Sequence, residues 1–258
     1  MWTVRCLYSM NARLRTLAMT PTIDKLLKAG ASLPRRMWRR SLRYGVAPAI
    51  EHLRAIEIAR PASLIDIGAN KGQFSAAVRG LFPEARIIAF EPLESEAKLY
   101  RQVFRGERDV TLHPVAIAEE AGTSTFHVAD RADSSSLLKI EQAQTDAFGV
   151  RESSEITVQL KRLDECIDLG QLPRPILVKI DVQGAEGSVL RGIDDFSVID
   201  FVYVELSFVT LYEQQPLASE IIELLRSKGL ELQGVFNQVT TDRFGPTQAD
   251  FLFGHVAG

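Results

Sequence analysis

Ser63-Leu-Ile-Asp-Ile-Gly-Ala-Asn-Lys-Gly-Gln-Phe-Ser75 reads as a buried strand, a glycine turn and the start of a helix. Gly68 and Gly72 permit a tight turn and let a ligand approach the backbone, while the N–H groups of the new helix face the crevice at the strand ends. That is the outline of a cofactor pocket. The spacing is Gly-x-x-x-Gly. It lacks the G-x-G-x-x-G that seats a pyrophosphate and the Gly-Lys-Ser/Thr of a P-loop, so a diphosphate is disfavoured. Asp66, just before the turn, places a negative charge that repels phosphate and attracts a cationic amino or sulfonium group. The alternative is a structural Asp that caps the turn.

Outward from this stretch, short apolar, β-branched runs alternate with amphipathic stretches of helix length, the pattern of a parallel sheet with covering helices. Seven strands are expected at 63–67, 86–90, 110–116, 176–181, 201–206, 230–236 and 250–255, with helices at 72–81, 95–104, 185–192 and 217–228. Residues 237–247, between the last two strands, are polar, contain Gly245-Pro246 and have no helical period, which predicts an antiparallel pair. Residues 118–164 interrupt the alternation. Two alternating segments, 123–128 and 156–160, flank a Ser-rich loop at 133–138 and a polar helix-like piece at 141–147, which predicts an insertion over the sheet's edge.

Strand two ends Ile87-Ile-Ala-Phe-Glu91-Pro92, about twenty residues beyond the glycine turn. A carboxylate there can accept both hydroxyls of a ribose; alone, it could equally cap the next helix. In Lys179-Ile-Asp-Val-Gln-Gly-Ala-Glu186 a hydrophobic strand ends in Asp181, facing the same crevice mouth as Gly68 and Glu91. The acceptor of a transferred group belongs beside it, with Asp181 as base or hydrogen-bond partner; a helix-start acid is the competing reading. Glu205 sits in the apolar run Val202-Tyr-Val-Glu-Leu-Ser207, where a carboxylate is costly unless it is paired or in the active crevice. His113 is a further polar candidate, more in keeping with a satisfied strand histidine. Ser135 and Ser136 could hydrogen-bond a polyhydroxylated acceptor from a lid loop, or belong to a plain surface loop. Two acids on adjacent strands without a third ligand motif are weak grounds for a divalent ion, and no metal is expected.

These motifs, in this order, resemble the S-adenosylmethionine-dependent methyltransferases of the FkbM type. The matching residues are Asp66-Ile-Gly-Ala-Asn-Lys-Gly72, Phe90-Glu-Pro92, Val115-Ala116 followed by Gly122, Ser135-Ser-Leu137, Leu163-Asp164 and Lys179 through Glu186 with Val189-Leu190, over about residues 63–206. The resemblance implies an α/β, Rossmann-like class I methyltransferase fold with a seven-stranded, mostly parallel sheet and an antiparallel last strand. It places the cofactor's methionine end near Asp66, Gly68 and Asn70, its ribose on Glu91 and its adenine near Val115 and Ala116, with Gly72 also among the cofactor-binding residues. S-adenosyl-L-methionine is the implied cofactor, and a hydroxyl of a sugar, glycan or secondary metabolite the implied acceptor. One departure is Gln183, where the family more often has Glu. The rivals are a nicotinamide oxidoreductase, disfavoured by the glycine spacing and the closing hairpin, and a non-catalytic scaffold.

Composition agrees with one globular enzyme domain plus an appendage: 46% of the 258 residues are hydrophobic and 24% charged, which excludes disordered and collagenous classes. No apolar run approaches the length of a spanning helix. The formal charge of -3 conceals an asymmetry. Residues 1–60 carry twelve Lys or Arg against three acids, a net of +9, and the remainder carries eighteen against thirty, a net of -12. This predicts a basic, helical N-terminal extension (1–60) on a catalytic domain (61–258). The run Pro34-Arg-Arg-Met-Trp-Arg-Arg40 could cap the substrate, touch a membrane surface or polyanion, or form a solvated helical face; nucleic acid is disfavoured because the catalytic part is acidic. Residues 1–20 lack the apolar core of a secretory signal, and Met10 or Met19 are alternative starts. Cys6 and Cys166 form no CxxC pair, which points to a reducing, cytoplasmic setting.

Overall fold

The computed structural model describes residues 35–255. Residues 1–34, with Cys6, Met10, Met19 and five of the twelve Lys or Arg of the basic segment, lie outside the described residues. The described chain opens with α1 (Arg36–Arg43), a 3-10 turn (Ile50–His52) and α2 (Leu53–Ala59). Then come β1 (Ser63–Ile67), α3 (Gln73–Leu81), β2 (Arg86–Phe90), α4 (Glu94–Val103) and β3 (Val110–His113). An insertion contains β4 (Ala116–Ile117), β5 (Gly122–Ala129), α5 (Gln142–Phe148) and β6 (Glu152–Lys161). After α6 (Leu163–Cys166) the main sheet resumes with β7 (Ile176–Ile180), α7 (Glu186–Arg191), β8 (Phe201–Ser207), α8 (Ala218–Ser227), β9 (Glu231–Thr241) and β10 (Gly245–Gly254).

The main sheet has the order β3-β2-β1-β7-β8-β10-β9. Strands β3, β2, β1, β7 and β8 are parallel, and β10 lies antiparallel between β8 and β9. This is the seven-stranded class I methyltransferase arrangement, with the last strand reversed. Strand order changes direction between β1 and β7, so their carboxyl ends diverge into the crevice where ligands of open α/β sheets bind. Ile65, Ile67, Val178 and Ile180 face one apolar layer, and Leu64 and Leu177 face the other, so β1 and β7 are buried on both sides.

Two segments differ from the sequence-based expectation. The strand expected at 110–116 ends at His113; Pro114 has no N–H to continue the ladder, and Ala116–Ile117 pairs with β6 in a separate sheet of order β4-β6-β5. The loop expected at 237–247 is mostly strand, because its polar residues lie on an edge strand where one face meets water: β9 runs to Thr241 and β10 starts at Gly245. The insertion, expected over the sheet's edge, starts at edge strand β3 but reaches inward, where Phe126, Ala132, Asp133, Ser135 and Leu137 wall the central crevice.

The basic helix α1 packs on α3. Its apolar Met37 and Trp38 are buried, and Trp38 Nε1 donates to the Ala76 carbonyl at 2.9 Å. A Cβ on Gly80 would lie 1.9 Å from Trp38 Nε1, so only glycine leaves room for the indole. Arg35 stacks over the same ring and Arg40 pairs with Glu107. These contacts carry the chain to residues 45–52, which form another wall of the crevice.

Candidate active site

The turn after β1 is tight because its neighbours leave no space. Gly68 has φ +75°, and a Cβ there would lie 1.9 Å from the Asp181 carbonyl oxygen. The Gly68 and Ala69 amides donate to the Phe90 carbonyl at 3.1 and 3.0 Å, and the Asp181 amide donates to the Ile67 carbonyl. Three strand ends are thereby stitched together beneath a cavity of about 440 Å³. Gly72, at φ +89°, serves packing instead: a Cβ would strike the Tyr100 and Phe104 rings, and it is not on the cavity wall.

Glu91 lines the cavity and is buried. Its Oε2 accepts the Asn70 amide and its Oε1 the Leu93 amide, both at 2.8 Å. Each carboxylate oxygen has a second lone pair, so two acceptor positions remain beside the cavity. Burial pushes its pKa up to about 7, against the two amides, which favour the ionised form; Glu96 adds to the rise and Lys179 opposes it.

Asp66 is not on the cavity wall. It is fully buried, accepts from Ser75 Oγ at 2.7 Å and lies 3.4 Å from Lys179 Nζ. Its charge acts through Lys179, which lines the cavity, donates to the Gly68 carbonyl at 2.8 Å and lies 3.5 Å from Asp181 Oδ2. Burial disfavours the ammonium, but Asp181 and Asp66 outweigh it and hold the Lys179 pKa above its ordinary value. A lysine within the apolar strand Ile176-Leu-Val-Lys-Ile180 is itself a legible sign of a paired, positioned charge.

Asp181 and Gln183 line both the main cavity and an adjoining one of about 220 Å³. Gln183 Nε2 donates to Asp181 Oδ1 at 2.6 Å and to Glu205 Oε2 at 3.0 Å, so a neutral amide bridges two carboxyl groups. Burial, then Asp181 and Asp250, raise the Glu205 pKa well above the carboxylate range. The bridge continues through Tyr212, whose hydroxyl donates to the Gln183 side-chain carbonyl and accepts from the Gln144 amide.

Of the other expected site residues, Asn70, Val115, Ala116 and Ser135 line the main cavity, and Glu205 lines only the smaller one. Ser136 lies off both walls, donating to the Gln183 carbonyl at 2.6 Å and so tying the insertion to the loop after β7. His113 also lies off both walls; it stacks on Phe90, and burial lowers its pKa. His52, on the cavity wall, and its buried partner Asp250 escape sequence reasoning, since neither belongs to a motif and they are brought together only by the fold. Among the described residues His127, Glu152 and Glu155 could offer three metal-ligand atoms, but they lie on the β5–β6 pair and not on the cavity wall.

The family model for the methyltransferase FkbM domain matches residues 66–232. The chain belongs to the FkbM methyltransferase family. It is 30% identical over 160 residues to Methyltransferase 1 of Beauveria bassiana, covering 55% of this chain and 64% of that protein. It is 30% identical over 178 residues to 2-O-methyltransferase NoeI of Sinorhizobium fredii, covering 66% and 73%. Hexuronic acid methyltransferase AglP of Haloferax volcanii is 30% identical over 108 residues, or 38% of this chain and 45% of that one. The FkbM domain uses S-adenosylmethionine, and its residues fit that cofactor: the backbone is bare at Gly68, Glu91 keeps two free acceptor positions, and Asp133 and Asp181 line the cavity with carboxylates suited to a cation. Among the described residues no helix is long and apolar enough to cross a membrane.

Proposed function

We propose that this FkbM protein transfers a methyl group to a hydroxyl of a sugar, glycan or related secondary metabolite. The observation that carries the reading is the junction of the two cavities at Asp181 and Gln183. Arg131, Asp133, Gln144 and Gln248 give the smaller cavity hydrogen-bonding side chains, and Phe148 gives it an aromatic one. That combination suits a polyhydroxylated ring, which offers donors around its rim and apolar C–H faces. The printed functions of the 2-O-methyltransferase and the hexuronic acid methyltransferase support the same acceptor class.

In this reading Glu91 holds the ribose, Val115 and Ala116 flank the adenine, and Gly68 with Asn70 takes the methionine end. When bound, S-adenosylmethionine supplies a methyl group made electrophilic by its sulfonium. Asp181 orients the acceptor hydroxyl, Gln183 holds Asp181 in place, and Ser135 contacts the acceptor from the insertion, which excludes water.

The test is incubation with methyl-labelled S-adenosylmethionine and a panel of methyl hexopyranosides and hexuronides. The reading expects label in an alkali-stable ether. Label confined to amines, or to none of the panel, counts against it.

A further inference from the structure

His52 lines the main cavity at the end of the 3-10 turn before α2, and its ring is anchored through Nδ1. Nδ1 lies 3.2 Å from Asp250 Oδ2, 2.9 Å from the Tyr203 hydroxyl and 3.1 Å from Asn237 Nδ2. Asn237 in turn donates to Asp250 Oδ2 at 2.8 Å. These partners come from β8, β9 and β10, so the reversed strand and its two neighbours together fix one imidazole. Phe74 and Tyr203 pack against the ring in edge contacts, with ring centroids 5.5 and 5.6 Å away.

The two ring nitrogens diverge, so the partners that hold Nδ1 on the sheet leave Nε2 directed away from them. Nε2 has no hydrogen-bond partner among the described residues. A carboxylate 3.2 Å from Nδ1 favours the tautomer with the proton there, whose hydrogen bond the Tyr203 hydroxyl can accept; this leaves Nε2 as a bare acceptor. This is the same division of labour by which a buried acid orients a catalytic histidine on unrelated folds.

We propose that His52 is the general base of the transfer, taking the acceptor's hydroxyl proton on Nε2 while Asp250 fixes its tautomer and stabilises the imidazolium. The proposal rests on the hydroxyl-transfer reading above and assigns its proton. The hydroxyl oxygen forms its bond to the methyl carbon, the carbon–sulfur electron pair returns to sulfur, and the hydroxyl proton passes to Nε2. No further reactant is needed. Asp181 then positions the acceptor and Asp250 positions the base.

The charged and titratable groups facing His52 are Asp250, Tyr203, Lys179 and the adjacent Glu51. Burial disfavours its imidazolium, but the Asp250 hydrogen bond and charge, with Glu51, outweigh burial and Lys179 and raise its pKa above 6.5. The rate therefore rises with pH as His52 loses its proton, on a limb moved up from the ordinary histidine value.

The chain has only four histidines, so their NMR signals can be assigned by substitution and followed in the protein without cofactor. Long-range proton–nitrogen correlation is expected to show neutral His52 protonated on Nδ1, and Asp250→Asn is expected to lower its pKa. In transfer to the hexopyranoside panel, His52→Gln is expected to lower kcat by about 10²- to 10⁴-fold, with KM and S-adenosylmethionine affinity within about threefold of wild type. Asp250→Asn is expected to move the rising limb to lower pH along with the NMR pKa. A neutral His52 protonated on Nε2 overturns the assignment, as does a His52→Gln variant that transfers at the wild-type rate. No transfer by the wild-type protein overturns the hydroxyl-transfer reading first, and the base with it.

Discussion

The buried carboxylate of Glu91 makes cofactor affinity depend on pH in a calculable way. With a pKa near 7, about half of the unliganded protein carries a neutral Glu91 at neutral pH. Two ribose hydroxyls donating to it favour the ionised form, so binding must shed the proton wherever the free protein holds one. If only the carboxylate binds tightly, the apparent Kd scales with one plus the ratio of neutral to ionised Glu91. That ratio is about 10 at pH 6 and about 0.1 at pH 8, so affinity is expected to weaken about tenfold between pH 8 and pH 6. Binding at pH 6 should release about nine-tenths of a proton, visible as a dependence of the calorimetric heat on the buffer's ionisation enthalpy. Glu91→Gln is the reference, because the ligand's own amino group titrates alike in both proteins. At pH 8 the variant is expected to bind about 10- to 150-fold more weakly, the loss of about 1.5–3 kcal/mol in charge-assisted bonds. At pH 6 the gap should narrow about tenfold. Parallel pH profiles for wild type and Glu91→Gln would refute the argument.

Lys179→Met leaves Asp66 buried without its ammonium, and should cost about 3–5 kcal/mol in denaturant unfolding; the double variant with Asp66→Asn should recover much of that, and a cost below about 1 kcal/mol would contradict the pairing. Gly68→Ala combines φ +75° with a Cβ 1.9 Å from the Asp181 carbonyl oxygen, so it should cost more than about 2 kcal/mol and weaken S-adenosylmethionine binding, whereas near-native values for both would deny the close approach. Trp38→Ala should cost about 3–5 kcal/mol by urea titration, since the indole is buried against Gly80; a loss under 1 kcal/mol would mean that α1 is a loose appendage.

What the sequence made legible was what local pattern encodes. The strand and turn from Ser63 to Ser75, Glu91 at the end of β2 and Asp181 after β7 could be placed because each ends an apolar run at a fixed interval. The antiparallel pairing of the last strands followed from a polar connection with no helical period, although edge exposure made part of β9 look like loop. The direction of a buried side chain was not legible. Asp66 and Asp181 both sit near strand ends, yet one turns down to Lys179 and Ser75 while the other opens on two cavities. Ser135 and Ser136 are adjacent in sequence, but only the first reaches the main cavity. Nor could the pattern join His52 to Asp250, 198 positions apart, since that meeting depends on α1 seating Trp38 and on β10 entering the sheet beside β8. The basic segment, for which a substrate cap was one of three readings, includes residues 45–52, which wall the crevice.

The central claim, that the crevice between β1 and β7 holds S-adenosylmethionine, is tested most directly by calorimetric titration of the purified protein. S-adenosylmethionine and S-adenosylhomocysteine should each bind at one site per chain, with NAD giving no heat of binding. Binding of NAD alone, or of none of the three, would contradict it.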